Sequence, residues 1–233
     1  MKRLLSDLQQ TTRETLERIG ADPVVVPPAW AEHHGTLREQ PAVIYGYAWQ
    51  TTVLRWFRLS VLQSGESARV FSALALPRVQ YDLPLFGAEI VIIKEAITVV
   101  ALDWMPLFAG SPHLGGLPAI RRRYDTFPPG GDLPPWAAEA FSAHALFSRP
   151  RDAVSPSQVL QAYADYLEGY LRLCAAATPR GEPHETLAAQ AHYCQAHFAN
   201  DPGANMLANI FGAQWSQAYA REFLFKLPPD GGA

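Results

Sequence analysis

Few residues in this chain are placed to do acid–base chemistry, and one of them is out of keeping with its surroundings. Glu89 stands between Ala88 and Ile90 in a run that otherwise reads as a buried strand. An ionised carboxyl there carries a large desolvation cost, so its pKa rises and it can hold a proton near neutrality. A neutral buried acid is what a proton-donating site needs. The alternative at this position is a structural ion pair with Arg55 or Arg58 from a neighbouring strand. Asp103 ends the next apolar run before Trp104-Met105-Pro106, where an aspartate accepts backbone N–H bonds in a turn. Asp201 precedes Pro202, the pattern of a helix cap followed by proline at the first helical position. A cap that faces a cavity can serve chemistry as well. Arg121-Arg122-Arg123 is a positive cluster that reads as a solvated face, or as a contact for an acidic partner or ligand carboxylate.

Other chemistries lack their residues. There is no Gly-x-Gly-x-x-Gly, no phosphate loop and no Gly-x-Ser-x-Gly, so a bound nucleotide and the common serine hydrolases lose support. Cys174 and Cys194 form no Cys-x-x-Cys pair. His192 and His197 are five apart, about 140° around a helix, so no metal site is expected. The 233 residues are 48% hydrophobic and 18% charged, which implies a large core and excludes a disordered tail. A net charge of -3 argues against a nucleic-acid binder driven by bulk charge. Two cysteines fit a reducing compartment. The best apolar stretch, residues 90–93 and 97–102, is broken by Lys94 and Glu95, so no membrane span is expected. Residues 1–10 lack the apolar segment of a signal peptide, and a cytoplasmic location is the expectation.

The elements that must hold these residues follow from periodicity. Leu4, Leu5, Leu8, Thr12, Leu16 and Ile19 recur at helical spacing over roughly residues 3–19 before Gly20. Strand character begins at Val43, with runs over 43–52, 54–63, 68–76, 88–94 and 97–104. Links this short require antiparallel neighbours, which gives a meander of about five strands. The central runs are apolar on both faces, so helices must cover the sheet on each side. Ser155-Pro156-Ser157-Gln158 is a capping box that starts a long helix; further helices follow over 187–198, from Asp201-Pro202, and over 213–225. The expected fold class is α/β: a three-layer α/β/α sandwich with a central antiparallel sheet, forming a single domain over residues 1–233.

Several segments, taken in order, resemble the ferredoxin-dependent bilin reductases, most of all their phycocyanobilin-forming members. They are Tyr81-Asp82-Leu83-Pro84-Leu85-Phe86-Gly87 running into Glu89, then Leu133-Pro134-Pro135-Trp136, and Leu146-Phe147-Ser148-Arg149-Pro150. His192-Tyr193-Cys194-Gln195 with Asn200-Asp201, Phe211-Gly212-Ala213-Gln214-Trp215 and Phe223-Leu224-Phe225 complete the set. The resemblance implies an antiparallel sheet between helical layers, with biliverdin IXα held between the sheet and the C-terminal helices. It implies no bound metal or flavin. Reduced ferredoxin is the external, transient donor of single electrons, the protein supplies protons, and the bilin passes through radical states. A monomer without nucleic-acid or membrane partners is expected.

By this resemblance the family's central aspartate falls on Glu89 and its C-terminal-side aspartate on Asp201, the two expected catalytic acids. Its histidine on the preceding strand falls on Ser72, and a glutamate one strand earlier, implicated in vinyl reduction, falls on Ser60. A hydroxyl residue reaching a propionate falls on Thr98. Ser60, Ser72, Thr98 and Met206 are the expected substrate-binding residues. Ser60 shares a strand face with Leu54, Trp56 and Arg58, and Ser72 with Val70 and Leu74. With the glutamate and histidine replaced, the reduction to a phycobilin could be of phycocyanobilin type, or directed to the A-ring diene (phycoerythrobilin) or the 15,16 bridge (15,16-dihydrobiliverdin). A bilin carrier without turnover is the alternative from another class.

Overall fold

The computed structural model describes residues 2–180 and 182–228; residues 1, 181 and 229–233, and with them the ends of the expected 1–233 span, lie outside the described residues. The chain opens with α1 (Lys2–Arg18), β1 (Asp22–Val24), α2 (Pro28–Ala31) and β2 (Glu32–Leu37). Five longer strands follow: β3 (Gln40–Gln50), β4 (Leu54–Ser64), β5 (Ala68–Pro77), β6 (Leu85–Ile93) and β7 (Ala96–Met105). Then come α3 (Leu117–Arg122), α4 (Pro135–Ala138), β8 (Leu146–Ser148), α5 (Pro156–Ala175), α6 (Pro183–Asn200), α7 (Ala204–Phe211) and α8 (Ala213–Tyr219). A π-helical turn, Ala220–Leu224, continues α8.

The fold class is as expected: a central antiparallel sheet lies between helical layers. The five expected runs are β3–β7, each paired antiparallel to the next. The sheet is wider than the periodicity shows, because β1 and β2 both pair with β3 at one edge and β8 pairs with β7 at the other. β1 and β8 are three residues long, and β1 contains Pro23, which only an edge strand tolerates. Such strands exist through their neighbour's hydrogen bonds and leave almost no pattern of their own. The tight link between β6 and β7 is Lys94-Glu95, one residue earlier than the sequence suggests. Both residues have positive φ, 48° and 65°, as a two-residue hairpin turn requires.

Alternation along each strand divides the side chains between two layers. On one face Phe57, Phe71, Phe86, Ile90 and Leu102 are buried against Leu5 and Leu8 of α1 and Tyr163, Tyr166 and Tyr170 of α5. The capping box at Ser155 is formed as expected, with Gln158 N–H donating to the Ser155 hydroxyl and the Gln158 side chain accepting from Ser155 N–H. On the other face Ile44 and Leu62 meet Leu207 and Ile210 of α7, Tyr219 of α8 and Phe223 of the π turn. This second layer carries the residues of chemical interest.

Candidate functional site

Opposed residues of an antiparallel pair point to the same side of the sheet, so register builds the site. Gly46, Ser60, Ser72, Glu89 and Ala101 are successive partners across β3–β7 and form one row on the C-terminal-helix face. Strands lie about 4.8 Å apart, so Ser60 and Glu89 are separated by roughly 10 Å of sheet. Gly46 at the end of the row is a close approach: a Cβ there would strike the Trp30 carbonyl and the Phe223 ring. Its lack of a side chain lets the C-terminal layer settle at that edge while the middle of the row stays open.

The opening is a narrow cleft of about 90 Å³, lined by Arg58, Ser60, Ser72 and Glu89 from the sheet and by Asp201 and Met206 from the C-terminal side. That is smaller than the roughly 300–1,000 Å³ of drug-sized ligand sites. Five of the six expected site residues therefore meet in one place. Thr98 does not line the cleft. Val91 is opposite Val99 and Ile92 opposite Ile97, which leaves Thr98 as the extra residue of a bulge, with its hydroxyl donating to the Val91 carbonyl at 3.1 Å.

Glu89 is half-buried on the cleft side and, among the described residues, has no hydrogen-bond partner. Burial first, and the nearby Asp201 carboxylate second, push its pKa up to about 7. Neither arginine pairs with it. Arg55 donates to the Gln190 side-chain carbonyl and to the Pro228 carbonyl, and Arg58 to the carbonyls of Phe223, Leu224 and Lys226. Asp201 is also raised by burial, against a lowering bond from Gly203 N–H to its Oδ1 at 2.8 Å. Because α7 begins only at Ala204, with Gly203 as its N-cap residue, Asp201 is the C-cap of α6 and closes the turn between α6 and α7 in place of capping the N-terminus of the next helix.

Asp103 takes the structural role. It lies inside β7, which runs one residue further at each end than expected, and accepts the N–H and hydroxyl of Ser142, both at 2.6 Å. Burial pushes its pKa up to about 6. The arginine cluster is a solvated face in which Arg121 pairs with Asp125 and Arg123 with Asp165. Among the described residues no group of His, Cys, Asp and Glu is arranged to hold a metal ion, and no helix is long and apolar enough to cross a membrane.

Two cleft features escape sequence reasoning. Arg58 is fully buried and, among the described residues, has no carboxylate partner, and Tyr219 donates its hydroxyl to Ser60 Oγ at 2.9 Å. Phe211, Trp215, Tyr219 and Phe223 at four-residue intervals are the signal of an aromatic stripe running from the end of α7 through α8 into the π turn, though that spacing reads first as packing. The resulting arrangement has two carboxyls biased toward their protonated forms, two serine hydroxyls and an apolar floor. It offers protons and hydrogen bonds to a ligand lying along the sheet, and no activated nucleophile.

Comparison with known proteins gives this geometry a family. Residues 8–226 match the ferredoxin-dependent bilin reductase family. Phycoerythrobilin:ferredoxin oxidoreductase of Gloeobacter violaceus is 29% identical over 230 residues, covering 94% of each protein. 15,16-Dihydrobiliverdin:ferredoxin oxidoreductase of Nostoc punctiforme is 26% identical over 94% of this chain and 93% of its own, and phycocyanobilin:ferredoxin oxidoreductases are among the same relatives. The crystal structure of tomato phytochromobilin synthase, solved in complex with biliverdin, superposes with a TM-score of 0.82 at 18% identity, over 93% of this chain and 82% of that one. With the match spanning nearly the whole sequence, the chain belongs to the ferredoxin-dependent bilin reductases.

Proposed function

We propose that this chain reduces biliverdin IXα to a phycobilin with electrons taken singly from ferredoxin, and that Glu89 and Asp201 supply the protons. The observation that carries this reading is a carboxyl in the middle of the sheet, lining the cleft, without a hydrogen-bond partner among the described residues and with a pKa near 7, near a second raised carboxyl from the C-terminal side. An acid with that pKa is matched to donation near neutral pH. Reduction of one double bond consumes two electrons from two reduced ferredoxins and two protons. Glu89 protonates a pyrrole nitrogen or lactam oxygen, which makes the π-system easier to reduce. Asp201 then donates to carbon or to the opposite ring edge. Ser60, Ser72 and Met206 hold the pigment; Thr98, whose hydroxyl is already committed to Val91, is outside this set.

Relatives named for three different reductions stand at similar identities, so likeness does not select the product. The cleft does favour one class. With serine at positions 60 and 72, Glu89 and Asp201 are the carboxyls among the described cleft-lining residues, and the glutamate that the resemblance links to vinyl reduction is missing, which favours the A-ring diene or the 15,16 bridge over a vinyl group. Biliverdin mixed anaerobically with the protein and a ferredoxin-reducing system should pass through transient radical absorption and yield a bilin two or four hydrogens richer, identified by chromatography against standards. A static bound spectrum with unchanged biliverdin recovered would overturn the proposal in favour of a carrier.

A further inference from the structure

Tyr219 has no exposed surface, and its ring is fixed in an aromatic stack. Trp215 stacks on it at 4.6 Å with planes 15° apart, Phe223 follows at 5.3 Å, and Trp30 closes the side at 5.9 Å. From that fixed position the phenol donates to Ser60 Oγ. Burial holds the phenol above its usual pKa range, so it stays a donor at any working pH. A serine hydroxyl has one proton and two lone pairs. With a lone pair taken by Tyr219, the serine proton must point elsewhere, and among the described residues no protein group accepts it. Ser60 lines the cleft, in the same row as Ser72 and Glu89.

We infer that Tyr219 is a positioning residue that fixes Ser60 as a hydrogen-bond donor into the cleft, where it holds the carbonyl oxygen of a terminal lactam ring. An open-chain tetrapyrrole carries such a ring at each end and can enter a slot in either of two directions. A donor fixed at one end of the row, roughly 10 Å from Glu89, selects one direction and thereby which ring lies beside the acid. This inference rests on the bilin reading above and adds the determinant of orientation.

The test compares wild type, Tyr219→Phe, Ser60→Ala and the double variant, each titrated with biliverdin and then reduced. Tyr219→Phe keeps the stacked ring and loses only the donor. It should weaken biliverdin binding about fivefold, the worth of one neutral hydrogen bond. It should also shift the long-wavelength absorption band of bound biliverdin and change the ratio of reduced isomers. Ser60→Ala should do the same, and the double variant should match either single one, because the two residues act through one contact. Additive effects in the double variant would overturn the inference. So would a Tyr219→Phe protein whose bound spectrum and product ratio equal those of wild type. A wild-type protein that neither binds nor reduces biliverdin overturns the bilin reading itself, which separates the two failures.

Discussion

At the scale of single residues, a carboxyl at position 89 costs the folded protein free energy whenever it is ionised. Its pKa rises from 4.5 to about 7 on folding. Because the folded value lies above the unfolded one, the stabilising effect of the bound proton is fully present below about pH 4.5 and is lost as pH rises through 7. A shift of that size corresponds to at most about 3 kcal/mol. Without ligand, Glu89→Gln should therefore gain stability relative to wild type between pH 4 and pH 8, by up to that amount. Urea unfolding at the two pH values checks this; an equal difference at both would show that the carboxyl is well solvated. Glu89 was legible in the sequence because a charge inside an apolar strand breaks a simple pattern. Tyr219 was not, since an aromatic at helical spacing looks the same whether it only packs or also donates a hydrogen bond. Arg58 was visible only as a candidate partner for Glu89, and its real acceptors are carbonyls more than 160 residues away along the chain.

At the scale of elements, those carbonyls tie the C-terminal layer to the sheet. The π turn Ala220–Leu224 and the segment after it present the carbonyls of Phe223, Leu224 and Lys226 to one buried guanidinium. Phe225 of this segment also lines the cleft, so the clamp forms part of its wall. Arg58→Leu removes every one of these donors, and buried acceptors left without partners cost about 1–3 kcal/mol each. The expected outcome is a variant at least about 2 kcal/mol less stable, with amide exchange rising over residues 220–228 before it rises in α5. Uniform exchange across the molecule would contradict a local clamp. The long helices and strands could be read from periodicity because each buries its own face. β1, β2 and β8 could not, because their pairing energy belongs to β3 and β7. The cap assigned to Asp201 moved for a related reason: Asp-Pro marks a turn, and only packing decides whether the next helix starts at once or three residues later.

At the scale of the whole molecule, the layers divide the work. α1 and α5 cover one face of the sheet with a continuous apolar core and give it rigidity. The C-terminal helices cover the other face incompletely and leave a small cleft along the row from Ser60 to Glu89. The sandwich and the central acid could be foreseen from residue patterns, and the identity of the pigment only from resemblance, because nothing in composition or spacing specifies four linked rings. The central claim is that the acid of the middle strand protonates that pigment. Its most direct test is Glu89→Gln under anaerobic conditions with biliverdin and reduced ferredoxin. The account predicts that this variant still binds biliverdin and yields no reduced bilin, while wild-type turnover falls as pH rises through about 7. Product formation by the variant at the wild-type rate would contradict it.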